Sequence, residues 1–282
     1  GFVDEWHHTR MGEYTYACSD FKFKKGLVSA TKTSGHTLQI ADGLWLDKKF
    51  KAAMMKSIAQ SELDRKRFVY SDIGFILLQQ VVEAVTGKTL DAYLVSEFYR
   101  PMGLEHTLFQ PLNRYKKADI MPTAANDYLR RQDLCGYVHD EAAAFMGGVS
   151  GNAGLFSTAQ ELGKIYQMIL NEGELDGKRY LRPETCRIFT TEKSAVSHRG
   201  LGYDKPNLKD PKANACASSA PASVYGHTGF TGTCAWVDPE NDLVYIFLSN
   251  RLCPDAWNGK LNSMKIRQAV QEVIYQSLYT PE

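Results

Sequence analysis

The last sixty residues constrain the fold more than any other part of the chain. Three short runs there, Val224 to His227, Cys234 to Val237 and Leu243 to Leu248, are rich in β-branched and aromatic residues. The last two flank Asp238-Pro239-Glu240-Asn241-Asp242, in which Pro presets φ and Asn and Asp tolerate turn conformations, so a hairpin is predicted. A small antiparallel sheet of this kind needs a cover for its apolar face. The stretch from about Ser263 to Tyr279 supplies one, because Met264, Ile266, Val270, Val273, Ile274 and Leu278 form an apolar set along a predicted helix.

Upstream the periodicity is helical. A short helix is predicted from Phe50 to Ile58. After Asp72, the residues Ile73, Ile76, Leu77, Gln80, Val81, Ala84 and Val85 follow i, i+3, i+4 spacing with one polar exception, and Gly87 supplies the stop. Leu90, Tyr93, Leu94 and Phe98 place another helix over Thr89 to about Tyr99, broken by Pro101-Met102-Gly103. Ser157 with Gln160, and Thr158 with Glu161, both fit a capping box ahead of the stripe Leu162, Ile165, Tyr166, Ile169 and Leu170. Residues 1–50 show no sustained period and read as mostly irregular. Residues 110–155 read as loop-dominated around Gly147-Gly148, Gly151 and Gly154, and Pro206 to Pro221 reads as a long surface loop. Helices followed by strands make an α+β chain.

Composition excludes several classes. With 33 Lys+Arg against 32 Asp+Glu the net charge is +1, so bulk charge does not hold this protein to nucleic acid or a membrane surface. The longest apolar runs fall far short of the roughly 18 residues of a membrane span. The six cysteines are dispersed, without a Cys-x-x-Cys pair or zinc-ligand spacing, and read as free and buried; no metal or organic cofactor is implied. His7-His8 cannot face one another on a helix and reads as a solvated pair.

Two short segments place polar groups where chemistry needs them. In Tyr70-Ser71-Asp72 a hydroxyl and a carboxylate two residues apart precede a helix, whose positive end favours an anion; the competing reading is that Ser71 or Asp72 is an N-cap and Tyr70 a half-buried ring. In Gly226-His227-Thr228-Gly229-Phe230 glycines flank a residue that can carry charge as the chain enters a strand, which lets a substrate backbone approach; the competing reading is a bulge with a solvated His. His139-Asp140 reads either as part of a relay or as a structural loop contact.

Taken together, Tyr70 to Phe109, Val138-His139-Asp140 through Ser157, and Gly226 to Arg251 resemble the serine β-lactamase and penicillin-binding-protein superfamily, in particular the branch of class C β-lactamases, D-Ala-D-Ala carboxypeptidases and related esterases. The resemblance covers about residues 60–280. It implies an α+β, β-lactamase/transpeptidase-like single domain over 1–282, with a helical subdomain and loops at about 50–190 and the C-terminal antiparallel strands and packing helix at about 195–282. Such proteins use a Ser-x-x-Lys nucleophile, a Tyr or Ser with Asn two residues on, and a Lys-Thr-Gly strand. By resemblance Tyr70 is the general base or acid, Asp72 stands where Asn is usual, His227 takes the Lys position, Thr228 and Gly229 bind substrate, and the Phe230 N–H is an oxyanion-hole donor. Both departures weaken the phenolate, since Asp72 adds an anion beside Tyr70 and His227 is a weaker cation than Lys. The resemblance also implies a cell-envelope or periplasmic protein acting on a β-lactam, a peptidoglycan-type D-Ala peptide or a small ester.

The first motif is the exception. Ser29-Ala30-Thr31-Lys32 has the letters, yet Thr33-Ser34-Gly35-His36-Thr37 after it forms a poor helix without an apolar stripe. The expectation is therefore an N-terminally truncated fragment of a larger polypeptide, incomplete at its N-terminus, with the nucleophilic serine upstream of Gly1. The alternatives are a non-catalytic peptide- or glycan-binding module derived from the fold, and a relocated Ser29–Lys32 pair.

Overall fold

Short strands, rather than irregular coil, occupy much of the front of the chain. The structure is a computed structural model describing residues 8–11, 15–18, 23–62, 68–256 and 258–279, with 8–11, 15–18, Lys212 and Tyr279 as backbone only. His7, and with it the His7-His8 pair, lies outside the described residues. β1 (His8–Met11) and β2 (Thr15–Cys18) pair antiparallel, and β3 (Val28–Ser29), β4 (His36–Ala41) and β5 (Leu44–Asp47) form an antiparallel sheet in the order β3-β5-β4. Two register shifts, at His36/Leu38 and Gln39/Ala41, break the two-residue alternation by which a strand is read from sequence. That is why residues 36–47 carry no strand alternation in sequence.

The helices follow their periodicity more closely. α1 (Phe50–Ala59) and α2 (Ile73–Thr86) are where expected, and Gly87 closes α2 at φ 67°. α3 (Leu90–Leu94) continues as a π-helical turn over Val95–Tyr99. The region read as loop-dominated carries β6 (Leu108–Phe109), a hairpin of β7 (Pro122–Asp127) with β8 (Gln132–Cys135), α4 (Glu141–Phe145) and β9 (Leu155–Phe156), which pairs with β6. β7 opens on a proline and has two register shifts of its own, which masks it in sequence. α5 (Ala159–Leu170) starts at Thr158, whose hydroxyl accepts from the Glu161 N–H at 3.3 Å; of the two capping boxes, this is the one whose cap forms.

After a β10 (Glu174–Leu175) and β11 (Lys178–Arg179) hairpin and α6 (Pro183–Thr191), the expected sheet appears as β12 (Tyr225–Thr228), β13 (Cys234–Asp238) and β14 (Leu243–Phe247), antiparallel in that order. α7 (Lys260–Ser263) and α8 (Ile266–Tyr279) replace the single helix expected from Ser263. Ile274 of α8 packs on a core of Cys216, Val224, Cys234, Trp236 and Tyr245. Cys216 and Ala217 reach that core from the segment read as a long surface loop, tied there by the Ala217 N–H to the Gln271 Oε1 of α8 at 2.8 Å. The front sheet makes a second core against α4, with Ile40, Leu46, Ala143 and Phe145 buried. Cys186, Cys216 and Cys234 are free and buried; Cys135 and Cys253 are free and half-buried.

α2 departs most from its pattern. Of its apolar residues only Ile76 is buried, whereas Ile73, Leu77, Val81 and Val85 are 41, 43, 55 and 80% exposed. Its inward side is chosen instead by Gln79, whose buried amide donates to the Val149 carbonyl and accepts from the Gly151 N–H, both at 3.2 Å. Gly151 permits this approach, because a Cβ there would stand 2.1 Å from the Phe75 carbonyl oxygen.

Candidate active site

Those contacts of α2 set where its first residues lie. Tyr70 and Asp72 precede the helix, and their neighbour across the cleft is β12, whose third residue is His227. The Tyr70 and His227 rings sit 6.4 Å apart at 30°. Tyr70 is 60% exposed. The two segments picked out in the sequence, 157 residues apart (227 − 70), are thus brought together.

Sequence reading missed the residue that joins them. Arg199 donates from Nη1 to His227 Nε2 at 3.0 Å, and its guanidinium lies 5.0 Å from the Tyr70 ring centre. Its other end faces Asp204, Nη2 to Oδ2 at 3.6 Å, and Asp204 also meets His198 Nε2 at 2.9 Å. Asp204 is fixed against β12 by two backbone hydrogen bonds with Gly226, at 2.7 and 3.1 Å. No motif marks Arg199 in sequence, since it stands 28 positions before His227 in a segment without period. The available signal was its place just ahead of the strand pattern.

The electrostatics are set by burial and by carboxylates. Burial raises the Tyr70 phenol above its ordinary pKa, Asp72 raises it further, Arg199 opposes, and Asp140 and Asp204 add to the rise. Asp72 is itself raised, first by burial and then by Asp140 and Glu141. Its side chain makes no capping hydrogen bond; the Ser71 hydroxyl instead accepts from the Ile73 N–H at 3.3 Å. Of the two capping options, the structure therefore supports Ser71 and not Asp72.

On the strand side, Thr228 pairs with Cys234, and the Gly229 N–H closes the following turn on the Thr233 carbonyl at 2.7 Å. A Cβ at Gly229 would meet Thr233 Oγ1 at 2.1 Å, so a larger residue here would have to turn the Thr233 side chain aside. Phe230 is 59% exposed, stacked on His139 at 5.2 Å, with Arg251 4.3 Å from its ring centre and bonded to its carbonyl. Among the described residues no acceptor is paired with the Phe230 N–H, as an oxyanion donor requires. Burial lowers the His139 pKa, and Asp140 caps α4 by accepting from the Ala143 N–H at 2.7 Å. Asp140 also accepts from Asn152 at 3.0 Å, so this dipeptide is a structural joint in the wall of the cleft.

Ser29 and Lys32 are elsewhere. Ser29 ends β3 and its hydroxyl accepts from the Thr31 N–H at 3.3 Å, while Lys32 lies 5.5 Å from the Trp45 ring centre. Lys32 lines a cavity of about 230 Å³ together with Trp45, Gln110, Tyr137 and Gly147, to which none of Tyr70, Asp72, His227, Thr228, Gly229 or Phe230 contributes. On a helix, Ser and Lys three apart share a face; on this strand and turn they do not. Among the described residues no three His, Cys, Asp or Glu side chains converge as metal ligands, and no helix is long and apolar enough to cross a membrane.

Comparison with known proteins converges on one group. The sequence profile of the Beta-lactamase family matches residues 30–267. A protein of Escherichia coli (strain K12) named "Putative D-alanyl-D-alanine carboxypeptidase" is 34% identical over 264 residues, covering 89% of this chain and 60% of that protein. Among solved structures, a beta-lactamase from Mycobacterium bovis superposes with a TM-score of 0.50 at 20% identity, over 75% of this chain and 64% of the other. A mutant of simvastatin synthase from Aspergillus terreus gives 0.51 at 16% identity, over 82% and 61%. At those identities the structures show a shared fold. The chain spans about 60% of the length of the first curated relatives it matches.

Proposed function

Because this chain belongs to the Beta-lactamase family, as the match over residues 30–267 and a 34% identical relative show, we propose that it carries the tyrosine and His-Thr-Gly elements of a serine hydrolase. The observation that carries the reading is the approach of the Tyr70 and His227 rings to 6.4 Å between the start of α2 and β12, with Thr228 and Gly229 on the same strand edge. In this scheme Tyr70 shuttles the proton of an attacking serine, Thr228 and the Gly229 turn align the substrate backbone, and the Phe230 N–H donates to the oxyanion. Asp72 occupies the usual Asn position and tunes Tyr70. The substrate class is an acyl donor ending in a small residue: a D-Ala peptide of peptidoglycan type, with β-lactams and small esters as further candidates. A cell-envelope, periplasmic site of action fits that substrate, as does a division near residue 190 into a helical part and a strand part.

The placement of Ser29 favours a second reading, a binding module of the same fold that holds a peptide or glycan without turning it over. Two measurements on the intact chain separate the readings. NMR titration with a D-Ala-D-Ala-terminated peptide is expected to perturb Tyr70, His227 and Phe230; binding elsewhere, or none, overturns the assignment of the cleft. Intact-mass analysis after a labelled penicillin or a fluorophosphonate reports acylation. A mapped serine adduct lost in Ser29→Ala identifies Ser29 as nucleophile and sinks the binding-module reading, while peptide binding without an adduct supports that reading for this chain.

A further inference from the structure

We propose that Arg199, rather than His227, is the cation that serves Tyr70, and that its hydrogen bond holds His227 as a neutral imidazole protonated on Nδ1. The strand motif of this chain is then a two-residue unit, with the ring on β12 and the charge delivered from the preceding segment. The catalytic use of that unit rests on the serine-hydrolase reading above; the arrangement of charge and proton does not.

The donors and acceptors determine the ring's state. A guanidinium has only N–H donors, so His227 Nε2, at 3.0 Å from Arg199 Nη1, accepts. The Thr228 carbonyl has only an acceptor, so His227 Nδ1, at 2.7 Å from it, donates. One proton, on Nδ1, satisfies both bonds, and a second proton on Nε2 would face the guanidinium. His227 in this state supplies no positive charge.

The charge comes from the guanidinium of Arg199. The side chain is built in place and does not lie loosely over the cleft. Its guanidinium lies 5.0 Å from the Tyr70 ring centre and 5.9 Å from that of Phe68. Nη2 faces the buried Asp204, 6% exposed, which also engages His198 and is locked to Gly226 by backbone bonds in both directions. The groups facing Tyr70 are the carboxylates Asp72, Asp140 and Asp204, the neutral His227 ring, and Arg199, the cation opposing the three anions. A guanidinium beside a phenol stabilises the developing phenolate without giving up a proton.

Two spectroscopic readouts test this without turnover. In the unmodified chain, long-range 1H–15N NMR of His227 near neutral pH is expected to show the Nδ1-H tautomer; an Nε2-H tautomer or an imidazolium overturns the proposal. Tyr70, labelled at 13Cζ and assigned through Tyr70→Phe, is then titrated in wild type, Arg199→Gln and Arg199→Lys. The Tyr70 midpoint is expected to move to higher pH in Arg199→Gln and to stay closer to wild type in Arg199→Lys, which keeps the charge. An unmoved midpoint in folded Arg199→Gln also overturns it. Should Arg199→Gln not fold, the wild-type tautomer and the Arg199→Lys titration still decide. Absence of penicillin labelling with these results intact would count against the hydrolase reading alone.

Discussion

α5 and α2 both begin beside a carboxylate in a polar cluster, and the two carboxylates have been given opposite surroundings. At α5, Glu161 accepts from the Glu105 N–H at 2.9 Å, the His106 N–H at 3.0 Å and the Thr107 hydroxyl at 2.6 Å, with His106 Nδ1 also at 3.0 Å. Burial alone would raise its pKa, but the Thr107 hydroxyl and the His106 N–H outweigh it and hold Glu161 below the ordinary value. At α2, Asp72 has no such donors among the described residues; burial and then the carboxylates Asp140 and Glu141 raise it. The first arrangement ties the segment 105–107 to a helix start and contributes stability. The second keeps tension at a cleft, where Tyr70, His227 and Arg199 converge. Polar residues at two helix starts therefore serve two purposes, and what separates them is whether donors or anions surround the carboxylate.

The largest effect that can break this comparison is at Glu161. Glu161→Ala strips the acceptor from two backbone N–H groups and a hydroxyl, at a cost of about 3 kcal/mol or more, read as a lower denaturant midpoint. Its lowered folded pKa makes its contribution present above the unfolded carboxylate value and lost as pH falls through the folded one, so the variant should flatten the acid limb of stability. If Asp72→Ala destabilises as much, the distinction between the two starts is lost.

Gly151→Ala comes next, at about 1–3 kcal/mol, because the new Cβ would stand 2.1 Å from the Phe75 carbonyl and α2 must move. The diagnostic is positional. The nuclear Overhauser contact between the Tyr70 and His227 rings should weaken together with stability. A stability loss with that contact unchanged would show that the 149–151 segment does not position the site.

What was legible in sequence follows the same division. The α2 and α5 boundaries, the hairpin at Asp238 to Asp242 and the Thr158–Glu161 cap were legible, because 3.6-residue periodicity, turn residues and caps are local signals. β4 and β7 were not, because bulges erase the alternation. The buried face of α2 was misread, because a single amide, Gln79, outranks the apolar stripe when the adjoining backbone offers it two hydrogen bonds. Tyr70, Asp72 and His227 were candidates by motif, whereas Arg199 reaches them through its bond to His227 and its contact with Asp204, itself bridged to Gly226, long-range contacts no local pattern encodes.

The smallest predicted effect is also the most specific, because its sign is opposite to that of Glu161. Asp72 is raised in the folded state, so between the ordinary carboxylate value and the raised one the folded protein binds more proton than the unfolded chain. Stability attributable to Asp72 therefore falls as pH rises through that window and is recovered on acidification. Asp72→Asn removes the titration while keeping the shape, so the variant should be slightly more stable than wild type at neutral pH and should converge with it in acid, by denaturant midpoints across pH. The same substitution removes an anion beside Tyr70, so the phenol midpoint should fall, opposite to the effect of Arg199→Gln. If Asp72→Asn lowers stability at neutral pH, the carboxylate has a donor after all and behaves like Glu161. If it raises stability without moving Tyr70, the tension at α2 is real but is not coupled to the tyrosine.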